Sequence, residues 1–238
     1  MSRARLGHPR LHLRETASTN DRARGLAAAG APHGTLVTAG RQTAGRGRQG
    51  RAWSAPAGRA LALSLVVRDL DPLLPLRAGL AVADVAGPEA RVKWPNDVLL
   101  DGRKVAGVLV EARPQEGWAV VGIGVNVAVR PGADLPPGLR ETAGTLGRAA
   151  GTLEATLAEL LDALAVRLAD DVAAVLAALR ERDALLGRRV RWAQGGGTGA
   201  GIDDRGALLV VTADGATVAL DAGEVHLGDG PGWGSAGS

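Results

Sequence analysis

The sequence predicts an α+β protein in two parts, an interleaved set of strands and helices over residues 1–184 and a small β-barrel over residues 185–230. Three observations carry this expectation. Through Arg182, β-prone runs are interleaved with stretches of helical spacing. After Leu185-Leu186-Gly187, five short β-prone runs follow at regular intervals, separated by glycine turns. The 238 residues suffice for one large domain, or for a medium one plus a small one. Gly230 to Ser238 is Gly-, Ser- and Pro-rich, and residues 231–238 are expected to be a disordered tail.

Taken in order, Arg10 to Glu15 reads as a strand. Ser18-Thr19-Asn20-Asp21 is a helix-start signature leading into Arg22 to Ala29, and Gly30 is the stop. Thr35 to Ala39 is strand-like. Arg41 to Ala52 has glycines and arginines but no apolar period, so it is a loop. Ala60 to Val67 reads as a strand and Pro72 to Val85 as a helix. Val98 to Leu100 and Lys104 to Glu111 flank Asp101-Gly102, the signal for a tight hairpin. Trp118 to Val127 is a further strand. Thr152 to Arg182 is one long helix or two shorter ones, with Asp170-Asp171 as the break. The barrel strands are Arg188–Ala193, Gly199–Asp203, Ala207–Thr212, Thr217–Leu220 and Glu224–Leu227.

Composition excludes several classes. There is no cysteine, hence no disulfide, thiolate metal site or Cys nucleophile. The four histidines, His8, His12, His33 and His226, show no metal-ligand spacing. No apolar run is long enough to span a bilayer. The first ten residues are charged and lack an apolar stretch, so no secretory signal is expected and the cytoplasm is the default. Net charge is only +3. The isoelectric point of about 10.4 reflects the use of arginine, which does not deprotonate, and is no sign of nucleic-acid binding.

Phe and Tyr are absent, and the chain keeps just two lysines (Lys93, Lys104) and three asparagines (Asn20, Asn96, Asn126). All of these have A/T-rich codons, which implies strong G/C pressure on the gene. A lysine that resists drift to arginine marks a place where a compact ammonium is needed.

Those survivors fall in three short segments, at Asn20, over Lys93–Lys104 and at Asn126; the last two, and an arginine-rich loop before them, carry chemistry. The loop Gly40 to Arg51 holds Gln42, Gly45, Arg46, Gly47, Arg48 and Arg51. Gly45 to Gly50 formally matches G-x-G-x-x-G. A strand rather than a helix follows, so the dinucleotide reading fails. Glycines let a ligand approach the backbone, and arginine forks suit carboxylates and phosphates. On this segment alone an anion site, a solvated basic loop and an RNA-binding Arg/Gly segment stay open. The second segment is Lys93-Trp94-Pro95-Asn96-Asp97 with Lys104-Val105-Ala106-Gly107, in which the hairpin brings Asp97 and Lys104 to roughly neighbouring positions. The third is Gly122-Ile123-Gly124-Val125-Asn126. Its alternating glycines mark either close approach of another group to the backbone or a bulge.

Ser18-Thr19-Asn20, the Gly45–Arg51 loop, Lys93–Asp97, Gly102–Gly107 and Gly122–Asn126 stand in the order and approximate spacing of biotin protein ligases, which the chain resembles over most of Leu11 to Leu227. The resemblance implies a class II synthetase-like fold, with a mixed, mostly antiparallel sheet, helices on one face and a small SH3-like C-terminal barrel. It implies an ATP-dependent ligase that forms biotinyl-5′-AMP and transfers biotin to a lysine of the biotin carboxyl carrier domain of a carboxylase. ATP and Mg²⁺ would be co-substrate and activator, biotin the substrate. The chain resembles the form without a DNA-binding domain, because only seventeen residues precede Ser18. Monomer and homodimer both stay open.

By the same resemblance Ser18, Thr19, Asn20 and Gln42 would bind biotin. Gly45 and Gly47 would lie over the ligand, and Arg46 and Arg48 would hold its carboxylate and phosphate. Lys104, Arg48 and Asp97 would be the catalytic group, with Lys104 on the carboxylate and α-phosphate. Arg51, Trp53, Asn96 and Asn126 would serve the nucleotide, and Asp97 would be a Mg²⁺ ligand or the base of the transfer step. Gly228 stands where a basic residue is expected, so an adenylate contact from the small domain would be missing. Competing readings are a lipoate or octanoate ligase or transferase of the same fold, and a nonenzymatic RNA-binding protein. The latter would interleave more aromatics than Trp53.

Overall fold

The computed structural model describes residues 6–228. The expected tail over residues 231–238 and the first five residues lie outside them. The first sheet has seven strands: β1 (Arg10–Leu13), β2 (Leu36–Ala39), β3 (Ala60–Val67), β4 (Arg91–Lys93), β5 (Asp97–Leu100), β6 (Arg103–Arg113) and β7 (Trp118–Asn126). Their order is β1-β2-β3-β7-β6-β5-β4. Only β1 and β2 are parallel, and the other neighbours are antiparallel. The Asp101-Gly102 turn forms as the sequence predicts, with both residues at positive φ, 51° and 72°.

Strand alternation sends two residue sets to opposite faces. Leu61, Leu63, Leu65, Val121, Ile123 and Val125 point to one face. There they meet α2 (Leu74–Ala86), α4 (Leu153–Ala169) and α5 (Val172–Glu181). The break between α4 and α5 falls at Asp170-Asp171, where Asp171 caps α5 by accepting from the Ala174 N–H. Val37, Val66, Trp118 and Val120 point to the other face, where α1 (Thr19–Ala28) packs through Ala23 and Ala27. Helices on one face alone is therefore too simple. α1 covers only part of the second face, and the remainder carries the site. A short helical turn, α3 (Pro131–Asp134), precedes a strap over residues 142–147 that the sequence did not announce.

The C-terminal strands are β8 (Arg189–Trp192), β9 (Gly195–Ile202), β10 (Leu208–Thr212), β11 (Thr217–Leu220) and β12 (His226–Leu227). They form a five-stranded antiparallel sheet in the order β11-β10-β9-β8-β12. Among the described residues no β11–β12 pairing closes it into a barrel. This sheet docks on the first through buried Trp94, whose Nε1–H donates to the Gly206 carbonyl at 3.0 Å. Gly206 has φ +86°, and a Cβ there would overlap Leu73 and Leu76 at the start of α2.

Trp94→Phe removes that donor and strands a buried carbonyl. The expected cost is about 1–3 kcal/mol of unfolding free energy, read by urea denaturation.

Candidate functional site

On the face that α1 leaves open, one row of cross-strand neighbours runs Ala39, Ala62, Gly124, Gly107, Asp97, Lys93. Four positions with no more than a methyl group make a lane across four strands, and two opposite charges close its end. Of the alternating glycines of β7, Gly124 belongs to it and Gly122 lies beside it, opposite Ser64. Pairing of β7 with β3 and β6 runs without a register shift, so the glycines mark close approach and not a bulge. A Cβ on Gly124 would overlap the Trp53 indole, and one on Gly122 would overlap the Asn20 amide. A Cβ on Gly107 would lie 3.2 Å from both Cε and Nζ of Lys104.

The charged end depends on a bulge elsewhere. Asp97 pairs with Gly107 and Lys104 with Leu99, so the two are near neighbours across the hairpin, as the sequence predicts, without being direct partners. Between Ala106 and Lys104 the extra residue Val105 flips the alternation. Val105 and Ala106 both enter the core, and Lys104 turns toward the lane. Its Nζ stands 2.6 Å from Asp97 Oδ1, an ion pair by distance though not in hydrogen-bond alignment. Lys93 Nζ is 3.8 Å from Asp97 Oδ2. Burial pulls the Lys93 ammonium below the usual lysine range, with Asp97 opposing. Lys104 Nζ also lies 5.9 Å from the Trp53 ring centre. The strap clasps the Lys104 backbone from both sides, with Lys104 N–H donating to Thr142 O and Gly144 N–H to Lys104 O, each at 2.8 Å.

Asn96 and Asn126 are spent on scaffolding. Asn96 Nδ2 donates to Val108 O at 3.0 Å, and its Oδ1 accepts from Arg48 Nη1 at 3.4 Å. Buried Asn126 donates to Gly144 O at 3.0 Å and so pins the strap.

The other end of the site is a polar chain beginning at α1. Ser18 occupies the N-cap position and is buried, yet its side chain makes no capping bond. Gln42 Oε1 accepts from the Thr19 N–H at 2.8 Å and from its hydroxyl at 3.1 Å. Ser64 Oγ lies 2.8 Å from Thr19 Oγ1 and 2.6 Å from Asn20 Oδ1. Asn20 Nδ2 donates to Glu111 at 2.7 Å, and Glu111 holds Arg24 at the same distance. Arg24 and Arg46 share Asp21. Ser64 and Glu111 are participants the sequence reading missed. Ser64 interrupts an otherwise apolar strand, and that was the available signal.

The Gly45–Trp53 loop is ordered by its own backbone. Gly47 N–H donates to Arg51 O at 2.7 Å and Trp53 N–H to Gly45 O at 2.8 Å. Its apex turns through Gln49 and Gly50, at φ 54° and 74°. A Cβ on Gly45 would overlap the Trp53 carbonyl. The arginines diverge: Arg46 pairs with Asp21, Arg48 meets Asn96 and Arg51 pairs with Glu224 of the C-terminal sheet. The loop is thus not a free basic segment. The resemblance gave Arg46 and Arg48 to the carboxylate and phosphate and Arg51 to the nucleotide; here each is engaged by a different element. Among the described residues no three His, Cys, Asp or Glu side chains group as a metal site, and no helix is long and apolar enough to cross a membrane.

Residues 13–127 match the biotin/lipoate A/B protein ligase family, and residues 185–228 match the biotin protein ligase C-terminal domain. The biotin–[acetyl-CoA-carboxylase] ligase of Mycobacterium tuberculosis is 39% identical over 90% of this chain and 87% of its own. That of Paracoccus denitrificans is 38% identical over 91% and 99%. The bifunctional ligase/repressor BirA of Bacillus subtilis is 41% identical over 56% of this chain, which spans 45% of that protein's length. The Aquifex aeolicus biotin protein ligase in complex with biotin and ATP superposes with a TM-score of 0.78 at 28% identity, covering 92% of this chain and 98% of its own. The chain belongs to the biotin protein ligase family.

Gly124→Ala forces the Trp53 indole off β7. The expected result is a red-shifted tryptophan emission and a loss of about 1–3 kcal/mol of stability. The same substitution in a Trp53→Phe background leaves emission unmoved.

Proposed function

We propose that this chain joins biotin to ATP as biotinyl-5′-AMP and passes the biotinyl group to a lysine of a carboxylase's carrier domain. The observation that carries the reading is the lane of small residues with amide-matching groups at one end and ammonium groups at the other. Thr19 and Gln42 offer hydrogen-bonding partners suited to a ureido head. Ala39 and Ala62 leave room for a flat apolar body, and the lane extends over Gly124 and Gly107 once the Trp53 ring that lies on them moves aside. Lys104 stands where the carboxylate would arrive.

In the first step a biotin carboxylate oxygen attacks the α-phosphorus, the bond to the β-phosphate breaks and pyrophosphate leaves. In the second, the acceptor amine attacks the acyl carbon, AMP leaves and the amine loses a proton. A carboxylate is already nucleophilic, so the protein's task is to balance crowded negative charge. Lys104 and Arg48 supply that balance, with Arg46 and Arg51 available from the loop. Asp97 spends Oδ1 on Lys104 and faces Lys93 with Oδ2, so its part is to aim Lys104. We assign it no proton-transfer step.

Nor does Asp97 fit as a lone metal ligand between two ammonium groups. Mg²⁺ would come on the triphosphate itself, as is usual for this ion. Asn20 and Asn126 act as supports for the ligand groups around them. The Trp53 ring lies over Gly107 and Gly124, and its Nε1–H is buried without an acceptor. A ligand seated over Gly124 therefore takes the ring's place. An ATP-consuming protein ligase of this kind belongs in the cytoplasm.

The test is biotin-dependent exchange of labelled pyrophosphate into ATP. Wild type exchanges with biotin and not with lipoate, and Lys104→Ala lowers the rate by about two to three orders of magnitude. Exchange with lipoate in place of biotin, or none with either acid, overturns the reading.

A further inference from the structure

Arg51 is the loop arginine held by the other sheet. Its partner, Glu224, lies two residues before the start of β12 and is half-buried. Glu224 has a firm mount. Val225 is buried in the core, His226 and Leu227 pair with Arg191 and Val190, and the Gly228 N–H donates to Arg189 O at 2.8 Å. Its second oxygen lies 3.7 Å from His226 Nε2. On the loop side, the Arg51 carbonyl accepts from Gly47 at 2.7 Å and its N–H donates to Arg48 O at 3.2 Å. Arg51 is thereby fastened to the turn that carries Arg48, and Arg48 in turn reaches Asn96.

We propose that Glu224 is a positioning residue, through which the C-terminal sheet sets the closing end of the Gly45–Trp53 loop and with it Arg48. The sheet places Gly228 where a cation was expected, and it contributes a carboxylate that recruits a cation from the loop. The activity arm of this proposal rests on the proposed adenylation; the structural arm does not.

The experiment compares the full chain with Glu224→Gln, which keeps the shape and removes the charge. Amide hydrogen exchange at Gly47 and Trp53, without ligand, speeds by about fivefold or more in the variant. In the pyrophosphate exchange assay the KM for ATP rises by a similar factor, and the KM for biotin stays within about twofold. The reversed pair, Arg51→Glu with Glu224→Arg, restores protection at Gly47. Unchanged Gly47 exchange in Glu224→Gln overturns the proposal, as does failure of the reversed pair to restore it. A loss of protection centred on β8 and β12 instead assigns Glu224 to the stability of its own sheet and also overturns it. A wild-type protein that exchanges no pyrophosphate removes the adenylation reading, while the amide measurement still decides the role of Glu224.

Discussion

The site depends on atoms that are missing from the strands beneath it. Three glycines, Gly107, Gly122 and Gly124, lie on one face of two adjacent strands, and each has given its Cβ space to a side chain from elsewhere. Asn20 takes the room at Gly122, Trp53 that at Gly124 and Lys104 that at Gly107. Glycine in a strand interior weakens the strand. Here the loss is offset by the apolar face below, where Val121, Ile123 and Val125 are buried against α2 and its neighbours. One strand thus serves two purposes, core on its odd positions and, from Gly122 onward, site on its even ones.

Charge around the lane is arranged in pairs. Each of these cations has a protein partner: Lys104 and Lys93 at Asp97, Arg46 at Asp21, Arg51 at Glu224, and Arg48 at the neutral Asn96 amide. Most of these pairs are partly exposed, and their individual contributions to stability are small. Their consequence is directional. They hold the arginines of a glycine-rich loop on three different elements, so that the loop's position reports on α1, on the β4–β5 turn and on the C-terminal sheet together. Binding of an anionic ligand then competes with, or works beside, defined carboxylates, not bulk water.

Much of this was legible in the sequence, and for physical reasons. The scarcity of lysine and asparagine under G/C pressure pointed to Lys93, Lys104, Asn20, Asn96 and Asn126, all of which lie in or beside the site. Asp101-Gly102 announced its turn because both residues tolerate positive φ. The bulge at Val105 was hidden, since an extra residue in a strand leaves no composition signal. It changes which residue faces Asp97 across the hairpin, and the length of the lysine side chain restores the contact that register alone denies. The ion pairs of Arg46 and Arg51 were also hidden. They join residues far apart in the chain, and a row of arginines looks the same whether it converges on a ligand or diverges onto carboxylates. The strap over residues 142–147 lacked any period to read, yet it clasps Lys104 and Asn126.

The proposed function requires that the lane of small residues seat biotin. Calorimetric titration of biotin into wild type, Gly107→Ala and Gly25→Ala tests it most directly, because a Cβ at Gly25 meets no atom within 4 Å and controls for the substitution itself. Gly25→Ala keeps wild-type affinity, and Gly107→Ala loses about tenfold or more, the cost of one misplaced methyl in a fitted pocket. Equal biotin affinity in all three proteins would contradict it.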